Sequence, residues 1–269
     1  MSNRWGGAVS RPILIGCEYS ATVRDAFRAL GFDAWSCDIL PTTGDPSWHI
    51  QGDILEALRS RRWSAAIIHI PCTAMGVCGN KHYGRGKPRH HERVEAVRWS
   101  KLVWGIGCEQ ADCVAMENPA SVLFPELKAL GADVQYVQPW QHGHPEQKKT
   151  GLALHNLPRL IETNNVYDHM MTLPRAERER IFFMSPSEDR GLLRSKFYTG
   201  IADAMADQWG RHIVTNHGSQ MDETQNMSQN LGLNETRPMI CGAPAGCPMC
   251  GSKLINGSLC PSCREAVAA

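Results

Sequence analysis

The residues best suited to chemistry begin at Pro71-Cys72-Thr73, which follow an apolar run, Ala65 to Ile70, interrupted only by His69. Such a run reads as a buried parallel strand, and Pro71 ends it because proline has no amide to give a ladder. A cysteine just past the carboxyl end of a central strand stands where open α/β sheets place ligands and reactive groups. A thiolate there can add to an electron-poor carbon and later leave, which makes Cys72 a candidate nucleophile. The plain alternative is packing, the commoner fate of a free cysteine, and the chain has 11 of them. A second polar pair, Glu117-Asn118, follows the strand-like Cys113 to Met116 after one helical crossover. Adjacent parallel strands would bring the two polar ends together.

The elements that must position these groups are legible upstream. Arg11 to Gly16 reads as a first strand, and Val23, Ala26, Phe27 and Leu30 recur at helical spacing behind it, with Gly31 as the helix stop. Asp33 to Cys37 is a second strand ending on Asp38. Strand, turn, helix and strand in this order form a nucleotide-binding half of a doubly wound sheet. Gly16, Cys17, Glu18 and Ser20 fill the turn, where the single glycine would let a ligand approach the backbone. The fingerprint G-x-G-x-x-G is absent, and the charge of Glu18 would repel a pyrophosphate; a cationic cofactor without phosphate suits the turn better. Asp38 could bind ribose hydroxyls. Asp53, just before the helical run ILEALRSRRW, could cap that helix, reach an adenine amine, or do both.

Further along, residues 73–89 are rich in glycine and charge and read as a mobile loop beside Cys72. A helix follows over 90–110. Strands over 134–137 and 151–154, with Lys148 and Lys149 just before the second, predict an antiparallel edge pair. Residues 158–195 look irregular apart from a charged helix near 174–183, and 197–213 reads as the last helix. The expected fold is therefore α/β: a doubly wound, mostly parallel Rossmann-like sheet with an antiparallel edge, plus a small C-terminal module. Domain boundaries follow at 1–214, a polar linker at 215–238, and a module at 239–269.

That module carries Cys247-Pro-Met-Cys250 and Cys260-Pro-Ser-Cys263. Paired C-x-x-C turns can close a tetrahedral shell around zinc, and the spacing predicts a structural zinc ribbon, with a redox dithiol pair as the alternative. So small a unit would draw its folding energy from the metal. The other cysteines are scattered, unlike a secreted disulfide framework, and no stretch is apolar enough for a membrane span, so a cytoplasmic location is expected. The net charge of +1 leaves any polyanion contact to local clusters. One runs over 81–101, with Lys81, Arg85, Lys87, Arg89, Arg93, Arg98 and Lys101 against Glu92 and Glu95; a solvated face is its plain reading.

Taken in order, these motifs resemble the cytosine-C5 DNA methyltransferase family over roughly residues 11–214. Pro71-Cys72-Thr73 is similar to the family's Pro-Cys motif, Glu117-Asn118-Pro119 to its Glu-Asn motif, Ile15 to Ser20 to its cofactor turn, and 197–212 to its final motif. The resemblance implies S-adenosyl-L-methionine held by Gly16, Cys17, Glu18, Ser20, Asp38, Asp53 and Pro71. It implies catalysis by Cys72 adding at C6 of the base and by Glu117 stabilising charge at N3. Thr73, Asn118, Lys148 and Lys149 would meet the substrate, and DNA would be held by the basic loop 81–101 and the zinc ribbon. Two departures stand out: the family's Gln-x-Arg-x-Arg motif has no clear match near Gln147-Lys148-Lys149, and 157–195 is short for a target-recognition domain. Rival readings are a same-fold enzyme acting on a free pyrimidine nucleotide or RNA, and a non-catalytic nucleic-acid-binding relative.

Overall fold

In a computed structural model of the chain, residue 4, residues 11–185, residue 194 and residues 196–230 are described, with side chains through residue 215. Seven strands, β1 (Ile13–Gly16), β2 (Ala34–Asp38), β3 (His49–Gln51), β4 (Trp63–His69), β5 (Ala111–Pro119), β6 (Asp133–Val137) and β7 (Thr150–His155), form one sheet in the order β3-β2-β1-β4-β5-β7-β6. The pairs from β3 through β5 are parallel, and β7 runs antiparallel to both β5 and β6. The expected antiparallel pair is thus present, with β7 inserted between β5 and the edge strand β6. The sequence reading omitted β3, whose three residues HIQ carry no apolar run to betray them.

The helices are α1 (Thr22–Ala29), α2 (Ile54–Arg59), α3 (Asn80–Tyr83), α4 (His90–Gln110), α5 (Leu123–Ala129), α6 (Tyr167–Thr172), α7 (Arg175–Arg178), α8 (Arg180–Phe183) and α9 (Thr199–Asn230). Helix α5 was also missing from the reading, and α9 runs past residue 213, where the last helix was expected to stop. No proline interrupts 214–230, so the polar composition there does not forbid a helix. Among the described residues no helix is long and apolar enough to cross a membrane. The cysteines expected to bind zinc, Cys247, Cys250, Cys260 and Cys263, lie outside the described residues.

Strand alternation splits the core into two layers. Ile13, Ile15, Ala65, Ile67, Cys113 and Ala115 face α1 and α9, where Phe27, Ile201, Met205 and Trp209 are buried. Leu14, Ala66, Ile68, Val114 and Met116 face α2, α4 and α5, against Leu58, Val103, Leu123 and Leu127. Each such aliphatic side chain contributes about 1.5–3 kcal/mol by leaving water. Continuing the same alternation to the strand ends places His69 and Glu117 on the α1/α9 side and Asn118 on the other.

The segment after Cys72 is better anchored than the expected mobile loop. Met75 and Gly76 donate backbone hydrogen bonds to Cys72 O at 3.1 and 2.9 Å, Val77 N donates to Ala120 O at 3.0 Å, and Val122 N to Met75 O at 3.1 Å. The Arg93 guanidinium, buried beneath, donates to Ala74 O at 2.7 Å, Asn80 Oδ1 at 2.7 Å and Gly76 O at 3.3 Å. Glycine content alone missed these ties because a buried cation supplies them from a distant helix.

Candidate active site

Because β4 and β5 are parallel neighbours, their last residues fall side by side, and His69 pairs in register with Glu117. The two side chains meet, His69 Nδ1 lying 3.3 Å from Glu117 Oε2. Beyond His69 the chain passes Ile70 and Pro71 to Cys72, whose residue is exposed. Asn118 is fully buried and donates from Nδ2 to Ile70 O at 2.9 Å. It therefore ties down the strand end that carries Cys72, while its Oδ1 has no hydrogen-bond partner among the described residues.

Antiparallel β7 begins where β5 ends, with Thr150 opposite Pro119, so Lys148 arrives at the same edge. Its ammonium donates to Arg194 O at 2.9 Å and lies 5.7 Å from the Tyr198 ring centroid. Burial pulls its pKa down, and the charges of Glu117 and Cys72 oppose that shift. The Cys72 thiol is pushed above its ordinary value by burial and then by Glu117, while Lys148 and Arg194 draw it back. Three groups thus feel one another: a thiol, a carboxyl and an amine. Lys149 goes elsewhere, its ammonium 4.4 Å from the Tyr136 ring on β6. Neighbouring residues in an extended segment point to opposite faces, so only one of the two lysines could reach Cys72.

The other expected residues gather at the ends of β1 and β2. Gly16 meets a packing demand, since a Cβ there would run into the Ile54 side chain from α2. Positive φ in the turn falls instead on Cys17, at 54°, and on Ala21, at 62°. Burial raises the Cys17 thiol, followed by the charges of Asp38, Cys37 and Asp53, so these groups share one end of the sheet. Asp53 Oδ1 accepts from Leu55 N at 2.6 Å and caps α2; Asp38 Oδ1 accepts from Leu40 N at 2.9 Å. Glu18 is buried and turns back onto α1, accepting from Val23 N at 2.7 Å and Arg24 N at 3.2 Å, with Ser20 Oγ 3.4 Å away. The amides that would cradle a phosphate at the start of α1 are therefore taken by a carboxylate of this chain. With Asp38 and Asp53 beside it, this end suits a cation lacking phosphate. Pro71 and Thr73 are exposed between the two groups of residues.

Sequence reasoning passed over two residues. His69 was read as one polar letter in a buried strand, although its position opposite Glu117 was the available signal. Arg93 was counted in the basic face of 81–101, but it is buried. Arg89 there pairs with Glu92 at 2.6 and 2.8 Å, and Lys101 with Glu126 at 2.9 Å. The basic face thus holds fewer available cations than its letters imply, with Lys81 exposed on α3 and Arg85 and Lys87 on the loop after it. Among the described residues no group of His, Cys, Asp and Glu could hold a metal ion.

No family model matches the chain, and no curated protein matches it in sequence. Solved structures overlap it in part. A methyltransferase of Entamoeba histolytica, EhMeth, is 13% identical, with 58% of this chain and 57% of that one covered at a TM-score of 0.39. A putative DNA modification methyltransferase encoded within an E. coli prophage is 14% identical, with 62% and 56% covered at 0.33. The S. pombe Dnmt2 methyltransferase is 14% identical, with 63% and 56% covered at 0.39. The chain spans little more than half the length of each.

Proposed function

We propose that the chain is an S-adenosylmethionine-dependent methyltransferase acting on C5 of cytosine in DNA, with Cys72 as nucleophile and Glu117 as the group that stabilises charge on the base. The observation that carries this reading is the juxtaposition of strand ends: parallel β4 and β5 finish side by side and antiparallel β7 starts at the same edge, so that Cys72, Glu117 and Lys148 stand within range of one another's charge. Cytosine C5 is a weak nucleophile. Sulfur addition at C6 turns the ring into an enamine and pushes electrons toward N3, where a carboxyl group can meet them. The Cys72 thiol is held above its ordinary value, so its proton must leave before the sulfur can add. Lys148 supplies the positive charge that favours the thiolate, in place of the arginines that the resemblance leads one to expect.

The cofactor end fits the same reading. S-adenosylmethionine has a sulfonium and no phosphate, and it supplies an electrophilic methyl group when bound. Asp38 and Asp53 would bind its ribose and adenine, while Glu18 holds the start of α1. Residues 1–214 would form the catalytic domain, 215–238 a linker and 239–269 a zinc-bound module gripping nucleic acid.

A duplex carrying 5-fluorocytosine tests the reading, because fluorine at C5 blocks the elimination that frees the sulfur. The wild-type chain with cofactor should form an adduct that survives denaturation. Cys72→Ala should form none while binding cofactor as before. An adduct of equal yield in Cys72→Ala would remove Cys72 from the chemistry. The ion pairs of Arg89 with Glu92 and of Lys101 with Glu126, and the burial of Arg93, favour a second substrate class, a free pyrimidine nucleotide or RNA, over a long duplex footprint. Duplex binding that weakens steeply with salt would decide for the duplex.

A further inference from the structure

The sheet order places β4 between β1 and β5, so His69, the last residue of β4, is flanked by acids from both neighbours. Glu117 on β5 is hydrogen-bonded to its Nδ1 at 3.3 Å. Glu18, just past β1, lies close enough to feel its charge, although its own oxygens are spent on α1. The Phe197 ring packs edge-on against the imidazole, with centroids 4.8 Å apart, and excludes water from that side. His69 Nε2 is buried without a hydrogen-bond partner in the described structure. Buried polar groups are ordinarily hydrogen-bonded, so an unpartnered buried nitrogen on a strand-end histidine calls for an explanation beyond core packing. Here one nitrogen is committed to the carboxyl that is proposed to meet the base.

We propose that His69 is a positioning residue that donates from Nδ1 to Glu117, fixes the direction of that carboxyl, and stabilises the carboxylate that forms when Glu117 gives its proton to the base. The inference rests on the cytosine-C5 reading for the identity of the acceptor, N3. As the C6–S bond forms, the base gains an electron pair at N3. The proton of Glu117 moves to N3, and the carboxylate left behind is held by the Nδ1–H of the neutral imidazole, which keeps its own proton. On expulsion of the sulfur the proton returns from N3 to Glu117, so the pair ends each turnover as it began. The groups facing this pair are Glu18 from the β1–α1 turn, Cys72 beyond β4, and Lys148 before β7; Phe197, before α9, faces the ring and carries no charge.

Two measurements on the full-length protein test this separately from the assigned reaction. The first needs no turnover. Nitrogen-15 spectra of the imidazole are compared in the wild type and in Glu117→Leu. In the wild type the proton should sit on Nδ1, and loss of the acceptor in Glu117→Leu should move it toward Nε2; an unmoved tautomer would overturn the pairing. The second compares methyl transfer by the wild type, His69→Asn and His69→Leu. Asparagine keeps an N–H near the Nδ1 position, whereas leucine offers none. His69→Asn should therefore keep kcat within about threefold of the wild type, and His69→Leu should lose about tenfold with KM unchanged, the share assigned to orientation. Equal kcat in His69→Leu and the wild type would overturn the proposal. A wild-type chain that binds cofactor yet never modifies cytosine would overturn the reaction assignment, and the spectra would still decide the pairing.

Discussion

The two ends of the sheet's carboxyl edge dispose of their polar groups in opposite ways. Where β1 and β2 end, the acids are occupied within the chain: both Glu18 oxygens accept amides of α1, Asp53 caps α2, and Asp38 holds the amide of Leu40. Where β4 and β5 end, groups are left available: Cys72 is exposed, His69 keeps an unpartnered nitrogen, and Lys148 spends its charge on a carbonyl. The first end is built as scaffold that also presents negative charge. The second keeps its hydrogen-bonding capacity for something not in the chain. Substitutions at the first end should therefore register in stability before they register in rate, and those at the second in rate before stability.

Glu117→Gln gives the largest effect that separates the ends. Activity should fall by about 10²-fold or more, the loss typical of removing an electrostatic stabiliser. The melting temperature should change little, since the carboxyl has one hydrogen bond to lose. The same variant should make Cys72 more reactive toward iodoacetamide near neutral pH, because Glu117 is one of the influences that raise the thiol. Lys148→Met should slow alkylation for the opposite reason. Should Glu117→Gln slow both reactions, the carboxyl is not acting on the sulfur through its charge.

The end that keeps groups available was also the more legible in sequence. Pro71-Cys72 and Glu117-Asn118 each close an apolar run, and two such runs separated by a crossover helix imply neighbouring parallel strands. The pairing of His69 with Glu117 confirms that adjacency. Roles that depend on what a side chain faces were not legible. His69 and Ile68 differ by one position and therefore by a whole face of the sheet, a distinction that depends on register. Arg93 looks like any cation in a charged helix until the loop after Cys72 folds over it. Asn118 and Lys149 stand beside residues that do reach the site, yet one is buried under Ile70 and the other stacks on Tyr136. Segments β3 and α5 escaped because they are short.

Glu18 offers a smaller test, read in stability. Its carboxyl is held above the ordinary 4.5, chiefly by burial, with His69 and the two α1 amides working against that rise. The folded chain therefore keeps a proton that the unfolded chain has released. The resulting stabilisation is complete below the unfolded value and is lost as pH rises through the folded one. In Glu18→Gln this dependence is absent. The melting temperature of the wild type relative to the variant should decline as pH is raised from about 4 toward neutrality. A difference that is constant or grows with pH would show that capping of α1 outweighs the burial of charge.

Asp53 gives the finest distinction, because capping and cofactor binding ask different things of it. A cap needs an oxygen acceptor for Leu55 N, which asparagine provides as well as aspartate, so Asp53→Asn should change stability by less than about 0.5 kcal/mol. Asp53→Ala removes the acceptor and should cost about 1 kcal/mol. Attraction for a cationic cofactor depends on the charge, which both variants delete. An exposed charge a few ångströms from its partner is worth about 1 kcal/mol, so both should weaken S-adenosylmethionine binding by about fivefold in calorimetry. If Asp53→Asn binds the cofactor as tightly as the wild type, the carboxylate is present for the helix alone, and the first end of the sheet edge is scaffold at this position without qualification.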